Sequence, residues 1–231
     1  MNPCFITRRE PGSNDIDGRA PSGHERGVSD EASFPVAPVA VRELAERCID
    51  ACRRALGGME LDYSEESLAL LDHWIGQAPP DKPEMIDLLA PMAGAYFGEL
   101  ARRRLGGAWV MRGLEPGSWR VEVKEFGLSF SPVGMAAEAV ARGDAEGYDA
   151  TLAAAGHEGV VATRLGELPE VTEEEFYSLT GRMEALVVVV DFLADLKRQD
   201  AEDEAADRDE GAEAEGEAEA EAEGEEEEQS E

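Results

Sequence analysis

Cysteine and histidine are scarce in this 231-residue chain, which holds three of each. Cys4, Cys48 and Cys52 make an odd set, and the last two lie four apart inside one helical pattern, so a disulfide framework is not expected and a reducing compartment fits. His24, His73 and His157 lack the spacing of a zinc motif, and no metal or cofactor is expected. Long apolar runs are missing as well. The longest, residues 185–190, is too short to span a bilayer, and residues 1–9 have no apolar stretch behind a basic one. The expectation is a soluble, cytoplasmic protein with no membrane partner. Basic charge is short, with 21 Lys and Arg against 52 Asp and Glu for a net charge of -31. A phosphate backbone would be repelled, so nucleic acid is not an expected partner. The chain contains no P-loop, no dinucleotide-binding glycine fingerprint, no His-Glu-x-x-His and no Gly-x-Ser-x-Gly. Their absence removes the enzyme classes that carry such motifs and no others.

What is present is unevenly distributed. Residues 1–38 carry four Arg and six acids, residues 39–199 carry 16 basic and 28 acidic groups, and residues 200–231 carry one Arg and 18 acids. The first segment is rich in Pro, Gly, Ser and Asp without a period and reads as a disordered leader. The last alternates Glu with Ala and Gly. Like charges three and four apart repel, so it reads as a disordered, solvated tail at neutral pH that protonation would turn toward helix. Between them, 161 residues suffice for one domain with its own core.

Within that domain, Val41, Leu44, Ala45, Cys48, Ile49, Cys52 and Leu56 recur at helical spacing until Gly57-Gly58. A second helix follows Ser64 as N-cap, with Leu68, Leu71 and Ile75 on its apolar face. A third opens at Pro83 and runs toward Leu105, with Pro91 either kinking or dividing it. Its small residues Ala93, Gly94, Ala95 and Gly98 permit close approach of a neighbour, and Gly106-Gly107 ends it. Residues 108–111, 118–124 and 128–130 read as three antiparallel strands, with a type II turn expected at Pro116-Gly117. Pro132 opens a helix to about Arg142. Around Tyr148, Leu152 and Ala153 a short helix is suggested, and residues 160–168 fit helix or strand. Thr172 with Glu175 forms a capping box that opens a last helix through Phe176, Leu179, Met183, Leu186 and Leu193. The sum is a single compact α+β domain over residues 39–199, with four or five helices packed on a small three-stranded antiparallel sheet.

Few side chains suggest chemistry. Cys48 and Cys52 could present two thiolates on one face, but nothing supplies further ligands, and they read as buried structural cysteines. Asp72-His73-Trp74 resembles an acid–base pair, yet neighbours on a helix point apart. Glu99 is the notable group: an acid in the most apolar helix, beside Tyr96. If buried, it needs an Arg partner or a raised pKa, as a structural pair or as a functional carboxylate. Arg102, Arg103 and Arg104 are the dense basic cluster. They complement the negative end of the helix dipole, and the other reading is an anion or partner contact.

The helix segment Gly94-Ala95-Tyr96-Phe97-Gly98-Glu99, followed by Gly106-Gly107-Ala108-Trp109, resembles an uncharacterised bacterial family, a domain of unknown function with a Gly-Ala-Tyr-x-Gly-Glu helix and then Gly-Gly-x-Trp. Ser131-Pro132 and residues 176–182 resemble further blocks of it, so the likeness covers about residues 60–190. It implies a compact mixed helix and sheet domain and no established reaction. The expected function is therefore a non-enzymatic binding or regulatory module, of an accessory or immunity type, that recognises a basic protein partner through an acidic surface. The alternative is an enzyme that uses Glu99 in a cleft with Tyr96 or an Arg.

Overall fold

A computed structural model describes residues 32–228. In chain order these form β1 (Ala32–Phe34), α1 (Val39–Ala55), α2 (Glu66–Ile75), α3 (Pro83–Leu105), β2 (Ala108–Met111), β3 (Arg120–Val123), β4 (Leu128–Phe130), α4 (Pro132–Ala141), β5 (Leu152–Ala154), α5 (Glu158–Gly166), α6 (Glu173–Tyr177) and α7 (Leu179–Glu228). Two compact units divide the chain after Val189. The first holds the sheet, α1 to α6 and the beginning of α7. The second, within the described residues, is the remainder of α7. Among the described residues no helix is long and apolar enough to cross a membrane.

The sheet is antiparallel throughout, in the order β1-β2-β3-β4-β5. Its register explains the alternation seen in the sequence. Trp109 pairs with Val121, Val121 with Phe130 and Phe130 with Leu152, and all four are buried. The opposite face carries Ala108, Glu122, Ser129 and Ala153 in a matching row, none of them buried. The opposite face is of mixed polarity and, Val110 apart, is not buried in β2 to β5, as period two produces when a sheet is covered mainly on one side.

The expected α+β class is the one observed, with seven helices among the described residues where four or five were expected, and with two strands added to the sheet. β1 comes from the segment read as a leader, and β5 from the stretch read as a short helix. Each has three residues, too few to leave an alternating signature, and each exists through its neighbour: Ala32 to Phe34 along Met111 to Trp109, and Leu152 to Ala154 along Phe130 to Leu128. The rest of the expected leader, residues 1–31, lies outside the described residues. Residues 158–166 are helix. Pro116-Gly117 forms a 3-10 turn, Pro116–Ser118, rather than a type II turn; the left-handed glycine of this connection is Gly113, φ 119°. The helix expected from Thr172 onward is broken at Ser178. Helical backbone also continues beyond Asp200, where the charge pattern places an extended tail, to Glu228. The helix propensity of Ala and Glu favours that path, and carboxylate repulsion opposes it; residues 229–231 lie outside the described residues.

α3 is the centre of the first unit. It runs unbroken through Pro91, which removes one helical bond, and packing against α1 and α4 outweighs that loss. Every residue from Ala93 to Ala101 is buried. The small residues make this possible. A Cβ on Gly94 would lie 2.5 Å from the Val133 Cα at the start of α4, and one on Gly98 would overlap the indole of Trp109. Gly94→Ala is therefore expected to cost about 1–3 kcal/mol by forcing α3 from α4. Gly159→Ala, on α5 with open space around it, is expected to stabilise by about 0.4–1 kcal/mol. Urea denaturation of both variants checks the pair, and equal effects would mean that close helix approach does not govern this core.

Candidate functional site

Glu99 is 3 % exposed, and its carboxylate is completely engaged. Arg102, one turn further along α3, donates from Nε to Oε2 at 2.8 Å and from Nη2 to Oε1 at 3.0 Å. Arg103 Nε donates to Oε1 at 2.6 Å. From β2, the indole Nε1 of Trp109 donates to Oε2 at 3.2 Å. Burial alone would push this carboxyl up, but the hydrogen bonds from Arg102, Arg103 and Trp109 outweigh it and hold Glu99 below the ordinary carboxylate value. Arg102 also reaches the Pro35 carbonyl through Nη1 at 2.6 Å, so the same ion pair ties α3 to the β1–α1 connection.

Tyr96 lies on the same helix and takes part in a separate cluster. Its hydroxyl accepts from the Tyr63 N–H at 2.7 Å and sits 2.6 Å from Ser67 Oγ. The ring stacks on Tyr63, centroids 4.6 Å apart, and the Arg103 guanidinium covers the other side of Tyr63 at 4.2 Å. Tyr63 has φ 62°, a left-handed conformation unusual for a bulky residue, which these contacts hold in place. Burial pushes the Tyr96 phenol up to about 12, so it remains a neutral hydroxyl.

The basic cluster is spent internally. Arg102 and Arg103 serve Glu99, and Arg104 Nε donates to Glu65 at 2.6 Å. A surface concavity of about 430 Å³ is bordered by Tyr63, Ser64, Glu65, Arg103 and Arg104, so its rim is of mixed charge and its two guanidinia already face carboxylates. Burial pushes the Cys48 and Cys52 thiols up, with the mutual charge of the pair adding at Cys48, and both behave as core side chains. His73 is exposed beside Gln77, 3.2 Å away. Among the described residues no group of His, Cys, Asp and Glu could hold a metal ion.

Two groups were missed by sequence reasoning. Asp72, dismissed with His73, accepts from the Leu179 N–H at 2.8 Å, the Thr180 N–H at 3.0 Å and Thr180 Oγ1 at 2.7 Å, capping α7 from a helix 107 positions earlier. Arg182, 2 % exposed, donates to Glu138 on α4 at 2.6 Å and to the Phe176 carbonyl at 3.1 Å. Burial pushes the Glu138 carboxyl up against the pull of Arg182, with Asp144 and Asp149 adding to the rise. Burial likewise holds the Arg182 guanidinium below its ordinary value against the pull of Glu138. Both pairings join residues far apart in the chain, and nothing local marks them. No family model matches this sequence, and no curated protein or solved structure is similar to it beyond chance.

Replacing Glu99 tests the network. Glu99→Gln leaves Arg102, whose side chain is 16 % exposed, without its charge partner; breaking a fully buried pair costs about 3–5 kcal/mol, and this partly solvated one should cost less, about 2–3 kcal/mol. The half-exposed Arg103 contributes little of that. The sign with pH follows from the depressed carboxyl: its stabilisation is present above the unfolded value of about 4.3 and is lost as pH falls through the lower folded value. Urea unfolding should therefore show a large gap between wild type and Glu99→Gln at neutral pH and a smaller one near pH 3. A gap independent of pH would show that charge is not what Glu99 supplies.

Proposed function

We propose that this protein is a non-enzymatic binding module that recognises a basic protein partner through an acidic surface. The observation that carries the reading is the placement of charge on the first unit. Residues 144–175 hold nine acids and one Arg, and among them Asp144, Glu146, Asp149, Glu158, Glu167, Glu170, Glu173, Glu174 and Glu175 are all exposed. The one Arg, Arg164, is paired with Glu167 at 3.2 Å. Val171 stands among these acids at 57 % exposure, an apolar point in a charged field. Such a surface favours fast encounter with a basic protein and penalises acidic ones. The state of Glu99 supports the same reading: its oxygens are taken by four N–H donors from three residues and lie inside the fold, where a general acid or base would need one of them facing a substrate.

The test compares wild type, a tailless chain ending at residue 199, and a charge-reversal variant, Glu158→Lys with Glu170→Lys and Glu174→Lys. Partners captured by the full chain should be lost on moving from about 0.01 M to about 1 M ionic strength, where the screening length shrinks from about 30 Å to about 3 Å. The reversal variant should associate at least tenfold more slowly at the lower salt. Binding that is indifferent to salt, reversal and tail removal together would overturn electrostatic recognition.

A further inference from the structure

The apolar period and the backbone disagree at one point in the first unit. Phe176, Leu179, Met183 and Leu186 are spaced as the stripe of one helix, yet the chain leaves the helix at Ser178, φ -69° and ψ 149°, and restarts at Leu179. No proline occurs between Thr172 and Val189, and no residue there is left-handed. Neither a proline nor a left-handed residue makes the break.

What takes their place is a set of side chains. A continuous helix would join the N–H groups of Leu179, Thr180 and Gly181 to the carbonyls of Glu175, Phe176 and Tyr177. Here all three donors are diverted. Asp72 accepts from Leu179 at 2.8 Å and Thr180 at 3.0 Å, and Ser178 Oγ accepts from Gly181 at 2.9 Å. Two of the carbonyls are diverted too: Ser178 Oγ donates to Glu175 O at 2.7 Å, and Arg182 Nε donates to Phe176 O at 3.1 Å. With Thr180 Oγ1 also on Asp72, six side-chain bonds stand where a continuous helix would have three, and half of them come from Asp72 on α2, so contacts from outside the segment hold the break. Gly181 adds a steric element. A Cβ there would overlap the Glu175 carbonyl in the broken form, whereas inside a continuous helix alanine is preferred to glycine.

We propose that α6 and the start of α7 are a two-state helix, held broken by Asp72, Ser178 and Arg182, whose release joins them into one helix and carries α6 away from α4. Arg182 is the pivot, because the guanidinium that occupies the Phe176 carbonyl also binds Glu138 on α4. Release moves the acidic first turn of α6, Glu173 to Glu175, relative to the rest of the unit. The proposal stands on backbone geometry and holds whatever the partner is.

Backbone NMR of the full-length protein tests it. In wild type the Ser178 Cα shift should be that of extended backbone. In Gly181→Ala it should change to the helical sign, residues 173–177 should keep helical shifts, and nuclear Overhauser contacts between α6 and α4 should vanish. Asp72→Ala, which removes the cap instead of crowding the turn, should produce the same pattern. Ser178 remaining extended in both variants overturns the proposal. So does loss of helical shifts over 173–177, which is local unfolding, and so does failure of both variants to fold, since the joined helix must be an alternative folded state.

Discussion

A carboxylate cannot be left bare inside a packed core, and the first unit is organised around satisfying one. Glu99 sits in the stretch of α3 with the least exposure, and its four donor contacts come from its own helix and from β2. Arg102 extends the network to the Pro35 carbonyl beside β1, so one buried charge relates α3 to two elements on either side of it in the sequence. Gly98 makes room for the Trp109 ring that supplies the indole donor. The glycine, the glutamate and the tryptophan act together: the ring needs the space, and the carboxylate needs the N–H.

That dependence accounts for the whole segment from Gly94 to Trp109. Gly94 admits α4, and Tyr96 anchors the turn before α2 by accepting from the Tyr63 N–H. Gly106, φ 69°, caps α3 in the left-handed conformation, and Gly107 passes close to Glu122 O and Val121 of β3. A dense pattern of Gly, Tyr, Glu and Trp thus has a packing explanation at nearly every position. Chemistry-bearing residue types in a tight cluster marked the architectural centre of the domain.

Much of this was legible before the structure. The starts of α1, α3 and α4, the three central strands and the Thr172 capping box follow from period, proline and capping signals that act within a few residues. The burial of Glu99 was also legible, because an acid among Ala, Gly, Tyr and Phe has few other places to go. Its partner was not. An Arg on a neighbouring element was a reasonable expectation, but Arg102 and Arg103 lie three and four positions on, where they could equally have pointed to solvent. Strands β1 and β5 were illegible for a different reason: three residues define a strand only through the strand beside them.

The sequence by itself determined the division of charge, the helical and strand periods of the domain, and the small residues that let α3 be central, because each of these is written in neighbours a few positions apart. The tertiary structure alone decided the fate of the long-range polar groups. Asp72 became the cap of α7, Arg182 the tie between α4, α6 and α7, and Ser178 a break in a stripe that reads as one helix. The physical reason is that a buried donor or acceptor is satisfied by whatever lies within 3 Å or so, and that proximity is a property of the folded chain.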